Sequence, residues 1–415
     1  MAREVLVRSD LPPVQGPSSH GVKAGDWAFT AGMLPLAADG AIVGTSPGVA
    51  DVEAQSARCV QSMSSVLETL DVSLAQVTKV KSYMTDLRHR ERYQSVYAEA
   101  MPEPYPAHAC VGAFLPVRDA VVQLEATACV DGLPQPVELP SPPLGNHPIA
   151  PGGTTGGDFF FSNAHPSIDA EGTLVARGDI RGQVEQALDN LGVCLAAAGF
   201  DFADVVKMNC TVPAWYGFMR YNEIYAKYFR EPFPARATVQ GEISTEAGLL
   251  EFEAVAAKGA DRLTIESVVT GIGHLSNKKR DDTIYVPELP GAMAPHSHAV
   301  RVGAVAYVCG QIPWEPPGIM IGWSEIRAQT RKTLENHVVT MRALGATMDD
   351  IVKTNVTITE AQMIPAFLEE YARFFTAPYP AMTIAIGGLA QDCMVLEIEA
   401  VAVMGASQNA VYVTA

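Results

Sequence analysis

The chain has 415 residues, 48% of them hydrophobic and 18% charged, which describes a globular protein with a large core rather than a disordered or fibrous one. Its 29 Lys and Arg against 46 Asp and Glu leave a net charge of -17, which repels phosphate backbones and anionic lipid and argues against a nucleic acid or a membrane as partner. The opening MAREVLVRSD lacks the apolar core of a signal peptide, no run reaches the roughly 18 apolar residues of a membrane span, and seven cysteines include no C-x-x-C pair, so a cytoplasmic protein with reduced thiols is expected.

The same succession of elements is read three times. Module one, residues 1–131, opens on an aromatic strand, DWAFTAG, and carries Gln55, Lys79, Pro106 and Glu125 as landmarks. DGLPQPVELPSPPLG follows, too rich in proline for helix or central strand and read as a semi-rigid linker. Module two, residues 145–259, repeats the strand as DFFFSNA and then shows Val184, Leu188, Leu191, Leu195 and Ala198 at three- and four-residue spacing, one helical stripe. Gly199 stands where that helix would end in a left-handed residue.

Next comes an alternating strand, with Val206, Met208, Cys210 and Val212 on one face and Lys207, Asn209 and Thr211 on the other. A second helix over 216–229 is stopped by Pro232 and Pro234, and ARATVQGEI and LLEFEAVAA close the unit as strands. A connection, GADRLTIESVVTGIGHLSNKKRDD, leads to module three, residues 282–405, and its KKR run is read as a solvated loop. Gln183, Lys207, Pro234 and Glu253, then Gln329, Lys353, Pro380 and Glu399, keep the register of the first set, so 55–125, 183–253 and 329–399 align without a gap. Each copy must bury its apolar face against the others. The expected class is α+β, with one helical layer on one sheet in each of three modules.

These landmarks resemble the Rid superfamily, the reactive intermediate deaminases or YjgF-like proteins. The resemblance rests on G-Q-I-P at 310–313, the helix-opening Gln55, Gln183 and Gln329, and the N-x-x-Y of Asn222 and Tyr225. It rests also on Y/F-P-A at 105–107, 233–235 and 379–381 and on E-x-E-A at 251–254 and 397–400, and it covers nearly the whole chain three times. It implies chorismate-mutase-like modules that form an intramolecular pseudo-trimer with a central β-barrel and outer helices, three non-identical clefts between modules, a small-molecule substrate, and a monomer or low oligomer; no glycine-rich phosphate loop or dinucleotide fingerprint appears, and no cofactor is expected.

The resemblance assigns the residue after Pro-Ala to grip the carboxylate of a 2-imino acid, a task for a planar guanidinium. Module two has Arg236 there, module one His108 and module three Met382. Glu253 is placed by the resemblance to orient the attacking water, although Glu125, Glu253 and Glu399 recur in all three modules and a shared structural role stands beside that reading. Thr238 takes the place of the family's cysteine near the catalytic arginine, while Ser162 and Asn222 match substrate-binding positions. The family's N-terminal tyrosine is replaced by Ser18, Ile149 and His296 in the three modules.

His108, Cys110 and Glu125 form a second candidate set of the types used in covalent catalysis, although side chains two residues apart on a strand stand about 7 Å from each other. The alternative is a packed cysteine beside a histidine that replaces an arginine. His296 and His298 share a strand face with no third metal ligand in view, and no metal is expected. The reading is hydrolysis of imines or enamines at a cleft around Arg236, with a pathway-specific lyase, isomerase or cyclic-amide hydrolase, or a non-catalytic binding protein, as alternatives.

Overall fold

The computed structural model describes residues 3–46, 49–139, 149–267, 280–292 and 294–413. Part of the proline-rich linker (140–148), with it the expected boundary at 145, and the middle of the second connection (268–279), which includes both lysines of the KKR run, lie outside these residues.

Each module has a long helix, α1 (Val52–Thr69), α3 (Ile180–Ala197) and α5 (Ile326–Ala343), and a shorter one, α2 (Arg90–Ala100), α4 (Phe218–Tyr228) and α6 (Ile364–Tyr371). The long helices start at acidic caps, where Asp51, Asp179 and Glu325 accept first-turn N–H groups. They end at left-handed residues, Gly199 (φ 78°), Gly345 (φ 76°) and, in module one, Asp71 (φ 56°). In α3 the stripe Val184, Leu188, Leu191 and Leu195 is fully buried beneath the sheet. Gln183 explains its own recurrence: its Oε1 accepts the Leu249 N–H at 2.8 Å, as Gln55 does from Val121 and Gln329 from Val395, so each ties the first helix to the loop before the last strand.

The sheets are mixed. In module two, Val205–Val212 pairs parallel with Ala235–Gln240, the connection passing through α4, and antiparallel with Glu251–Ala257. Both interconnecting segments are partly strand: Gln135–Pro136 adds to the edge of the module-two sheet, where a proline costs no ladder bond, and Leu263–Ser267 pairs with Ala299–Arg301 in module three. The tail Ala410–Val413 returns to module one and pairs parallel with Arg3–Leu6.

The modules meet in cyclic order. The N–H of Ala150 reaches the carbonyl of Pro106, that of Ser297 reaches Pro234, and that of Ser19 reaches Pro380, so the Pro-Ala strand of each module faces the first strands of the next. Farther along, bridges link Gly112 to Glu242, Gln240 to Gly388 and Phe114 to Ile386, again one per module pair. The hydrogen-bonded sheets nevertheless stay separate, and the expected closed central barrel is not formed as one continuous sheet among the described residues. The reason is local: the edge strands touch through single bridges rather than running ladders.

Candidate functional site

Two cavities carry chemistry. The first, of about 760 Å³, lies where the three modules converge and is lined by Lys79, Lys81, Lys207, Lys353, Glu125, Glu253 and Glu399. The alternating strand explains it, because the face that carries Lys207 and Asn209 turns toward the other modules instead of solvent. Each of the three recurrent lysines bonds to the first strand of the next module or its end, Lys207 to the Val308 carbonyl at 3.0 Å and Lys353 to the Thr30 carbonyl at 2.8 Å, with Lys79 donating to the Ser162 carbonyl. Each also pairs with that module's recurrent glutamate: Lys79 with Glu253 at 3.1 Å, Lys207 with Glu399 at 2.6 Å and Lys353 with Glu125 at 2.7 Å. Lys81 is a second partner of Glu253. Burial alone would push the Glu253 carboxyl up, but Lys81 and Lys79 outweigh it and bring it down to about 2.

The second cavity, of about 590 Å³, lies between modules two and three and contains Arg236 and Thr238 from one and His296, His298, Gln311 and Glu397 from the other. Arg236 is only 5% exposed. One guanidinium nitrogen donates to Asn222 Oδ1 at 2.9 Å, and the group lies 5.1 Å from the Tyr221 ring centroid and 4.8 Å from that of Tyr225. The N-x-x-Y motif of α4 thus holds the arginine by one hydrogen bond and cation–π contact. No ion pair to Arg236 occurs among the described residues.

Around it, Asn222 Nδ2, Thr238 Oγ1 and Glu397 Oε1 are buried without a hydrogen-bond partner among the described residues, an expense that a bound polar molecule would relieve. Burial, with Glu399 adding to it, pushes the Glu397 carboxyl up to about 8, against Lys207, Arg236 and the Thr238 backbone N–H. Gly310 makes room for it: a Cβ there would stand 1.9 Å from Glu397 Oε1. His298 is spoken for, with Nε2 at 3.0 Å from the Pro290 carbonyl and Nδ1 at 3.1 Å from Gln311 Nε2.

The structure brings Arg236, Thr238 and Asn222 together, and Ser162 and Glu253 do not join them. Ser162 lies against module one instead: its carbonyl accepts from Lys79 and the neighbouring Asn163 accepts the His108 backbone N–H at 2.9 Å, while its Oγ accepts the Ala254 N–H of its own module at 2.8 Å. Cys309 takes the corresponding place in the Arg236 cavity. Glu253 is on the lysine side. One two-residue step along a strand, about 7 Å, separates the central cavity from the cleft, so the first glutamate of E-x-E-A faces a cleft and the second faces the centre. The carboxyl that meets Arg236 belongs to the adjoining module.

Nor are His108, Cys110 and Glu125 assembled. His108 Nε2 lies 3.0 Å from Tyr93 Oη and 3.1 Å from Ser82 Oγ, with its ring stacked on Tyr97 at 5.0 Å. Burial pushes the Cys110 thiol up to about 11, so it is protonated at neutral pH. Glu125 turns to the centre and accepts from Asn355 Nδ2 at 2.8 Å. The carboxyl on the cleft side of this module pair is Glu251, raised by burial to about 7 and bonded to the Ser244 N–H at 2.8 Å.

A profile of the family described as endoribonuclease L-PSP matches this chain at residues 9–130, 150–258 and 287–404. The chain belongs to this family, in three tandem copies. Among its relatives is a RutC family protein of Pyrococcus horikoshii, 36% identical over 102 residues that make up 25% of this chain and 81% of the relative. The human 2-iminobutanoate/2-iminopropanoate deaminase is 41% identical over 100 residues, 24% of this chain and 73% of that protein. Among solved structures, RidA from an Antarctic Psychrobacter is 28% identical and covers 28% of this chain and 94% of its own, with a TM-score of 0.27. The Pyrococcus and human relatives each match about one module of this chain, and the cleft described above takes residues from two modules of the one chain.

Proposed function

We propose that the protein hydrolyses carboxylate-bearing imines or enamines to the ketone and ammonia at the single cleft between modules two and three. The observation that carries this is Arg236, a buried guanidinium with no acid partner among the described residues, sharing its cavity with Glu397, whose Oε1 is left without a hydrogen bond. A substrate carboxylate supplies the missing counter-charge, and the remaining donors, Thr238 Oγ1 and Asn222 Nδ2, orient it. The family's deaminase members favour an imine over other carboxylates. Met382 and His108 occupy the corresponding places in the other two pairs, and neither offers a permanent charge.

The test is ammonia release from 2-iminobutanoate generated in situ, with the spontaneous reaction subtracted. Glu397→Gln is expected to slow turnover by about 10²-fold with little change in KM, the size typical of a lost proton-transfer group. Glu251→Gln, its counterpart in the His108 cleft, is expected to leave the rate within about threefold. Equal losses in the two variants would overturn the choice of cleft.

The cyclic contacts support an intramolecular pseudo-trimer, in which the surfaces that join subunits in a trimer are consumed within one chain. Light scattering is therefore expected to give the 44.3 kDa mass of one chain or a low multiple of it. A trimer of chains that falls apart on dilution together with loss of fold would contradict this.

A further inference from the structure

We propose that His296 is the proton acceptor of this cleft, taking the proton of the water that adds to the substrate's C=N carbon while Glu397 protonates the nitrogen. The inference rests on the imine hydrolase reading and gives its reaction a second catalytic residue.

The geometry sets the two groups on opposite sides of Arg236. Ser297 bridges Ala235, and its N–H bonds to Pro234, which places His296 beside the start of the strand Ala235–Gln240. Glu397 lies farther along that strand, against the backbone N–H of Thr238. Ala235 to Thr238 is about 10 Å of extended chain, room for a small molecule held by Arg236 between the two. Of the two histidines that line the cavity, His298 has both ring nitrogens engaged, whereas His296 is half-buried, with its ring 5.9 Å from that of His298.

Protonation states suit the assignment. Burial first, then Arg236, His298 and Lys207, hold the His296 imidazole neutral, and a backbone hydrogen bond near Ala294 opposes them only in part. Glu397 keeps its proton at neutral pH, as described above. A neutral base and a protonated acid in one pocket are the complement that addition of water to a neutral imine requires.

The steps balance. The water oxygen bonds to carbon as its proton passes to His296. The C=N electron pair moves to nitrogen, which takes the proton of Glu397. In the collapse of the carbinolamine the C–N bond breaks, the imidazolium returns its proton to the departing nitrogen, and the hydroxyl proton goes to the Glu397 carboxylate. Ketone and ammonia leave, and both residues are restored.

The experiment is steady-state ammonia release from 2-iminobutanoate by the full chain, for the wild type, Arg236→Ala, His296→Gln and His296→Ala, between pH 6 and 9.5. Expected results are a wild-type rate that falls as pH rises past about 8, where Glu397 loses its proton, and a kcat about 10²-fold lower in His296→Gln with KM within about threefold. Added imidazole is expected to restore part of the rate of His296→Ala, which a purely structural histidine would not permit. A wild-type rate that instead rises through pH 8, a kcat of His296→Gln within threefold of wild type, or no rescue by imidazole overturns the role of His296 and leaves the imine hydrolase reading intact. A wild-type protein without turnover, or an Arg236→Ala variant as fast as wild type, overturns that reading and this inference with it.

Discussion

Arg236→Ala is expected to lower kcat/KM for an imino acid by a few hundredfold, while Met382→Ala, the same position in module three, changes it by less than twofold. Arg236 lies in a sheltered cavity with one neutral partner, Asn222, and three aromatic rings, Phe218, Tyr221 and Tyr225. A charge-assisted contact to a carboxylate there is worth about 3 kcal/mol, which is on the order of 10²-fold. Met382 is buried and apolar and belongs to the module-three core. The measurement is kcat and KM of both variants on the same imine. Equal effects would place the carboxylate elsewhere.

Glu253→Gln is expected to destabilise the protein by about 3 kcal/mol or more, because it leaves two buried ammonium groups, Lys79 and Lys81, without their counter-charge. Glu125→Gln and Glu399→Gln strand Lys353 and Lys207 in the same way and should lower the unfolding midpoint too. Turnover per folded molecule should change little in all three. The pH dependence has a defined sign. The folded-state carboxyl of Glu253 titrates at about 2, below its ordinary value, so its contribution is fully present above pH 4.5 and is lost as pH falls toward 2. Denaturant melts of wild type and Glu253→Gln at pH 7 and pH 3 check this, and a gap between the two proteins that widens at pH 3 would contradict the pairing.

The central glutamates also show how the sequence misleads about a site. Glu251 and Glu253 share a strand face, as alternation says, yet Glu251 is bonded to Ser244 and Glu253 to the lysines. Local pattern fixes which face a side chain takes and is silent about which of two regions on that face lies above it. Lys207 and Asn209 read from the sequence only as the face opposite Val206 and Met208, for the same reason. Three copies packed around one centre turn that face inward.

The amino-acid pattern by itself determined the triple repeat, the α+β class, the ends of the long helices at Gly199 and Gly345, and the association of Arg236 with Asn222 and Thr238. All of these depend on residues close in sequence or in register within one module, where periodicity and backbone conformation act. The tertiary structure alone decided that Glu397 and His296 face Arg236 and that Ser162 and Glu253 do not. Arg236 stands on a sheet edge, and an edge residue completes its surroundings from whatever packs against it. Here that is a module whose nearest contributing residue, Pro290, is 54 positions away and whose His296 and Glu397 lie farther still, brought in by the handover of each Pro-Ala strand to the next module rather than by any local preference.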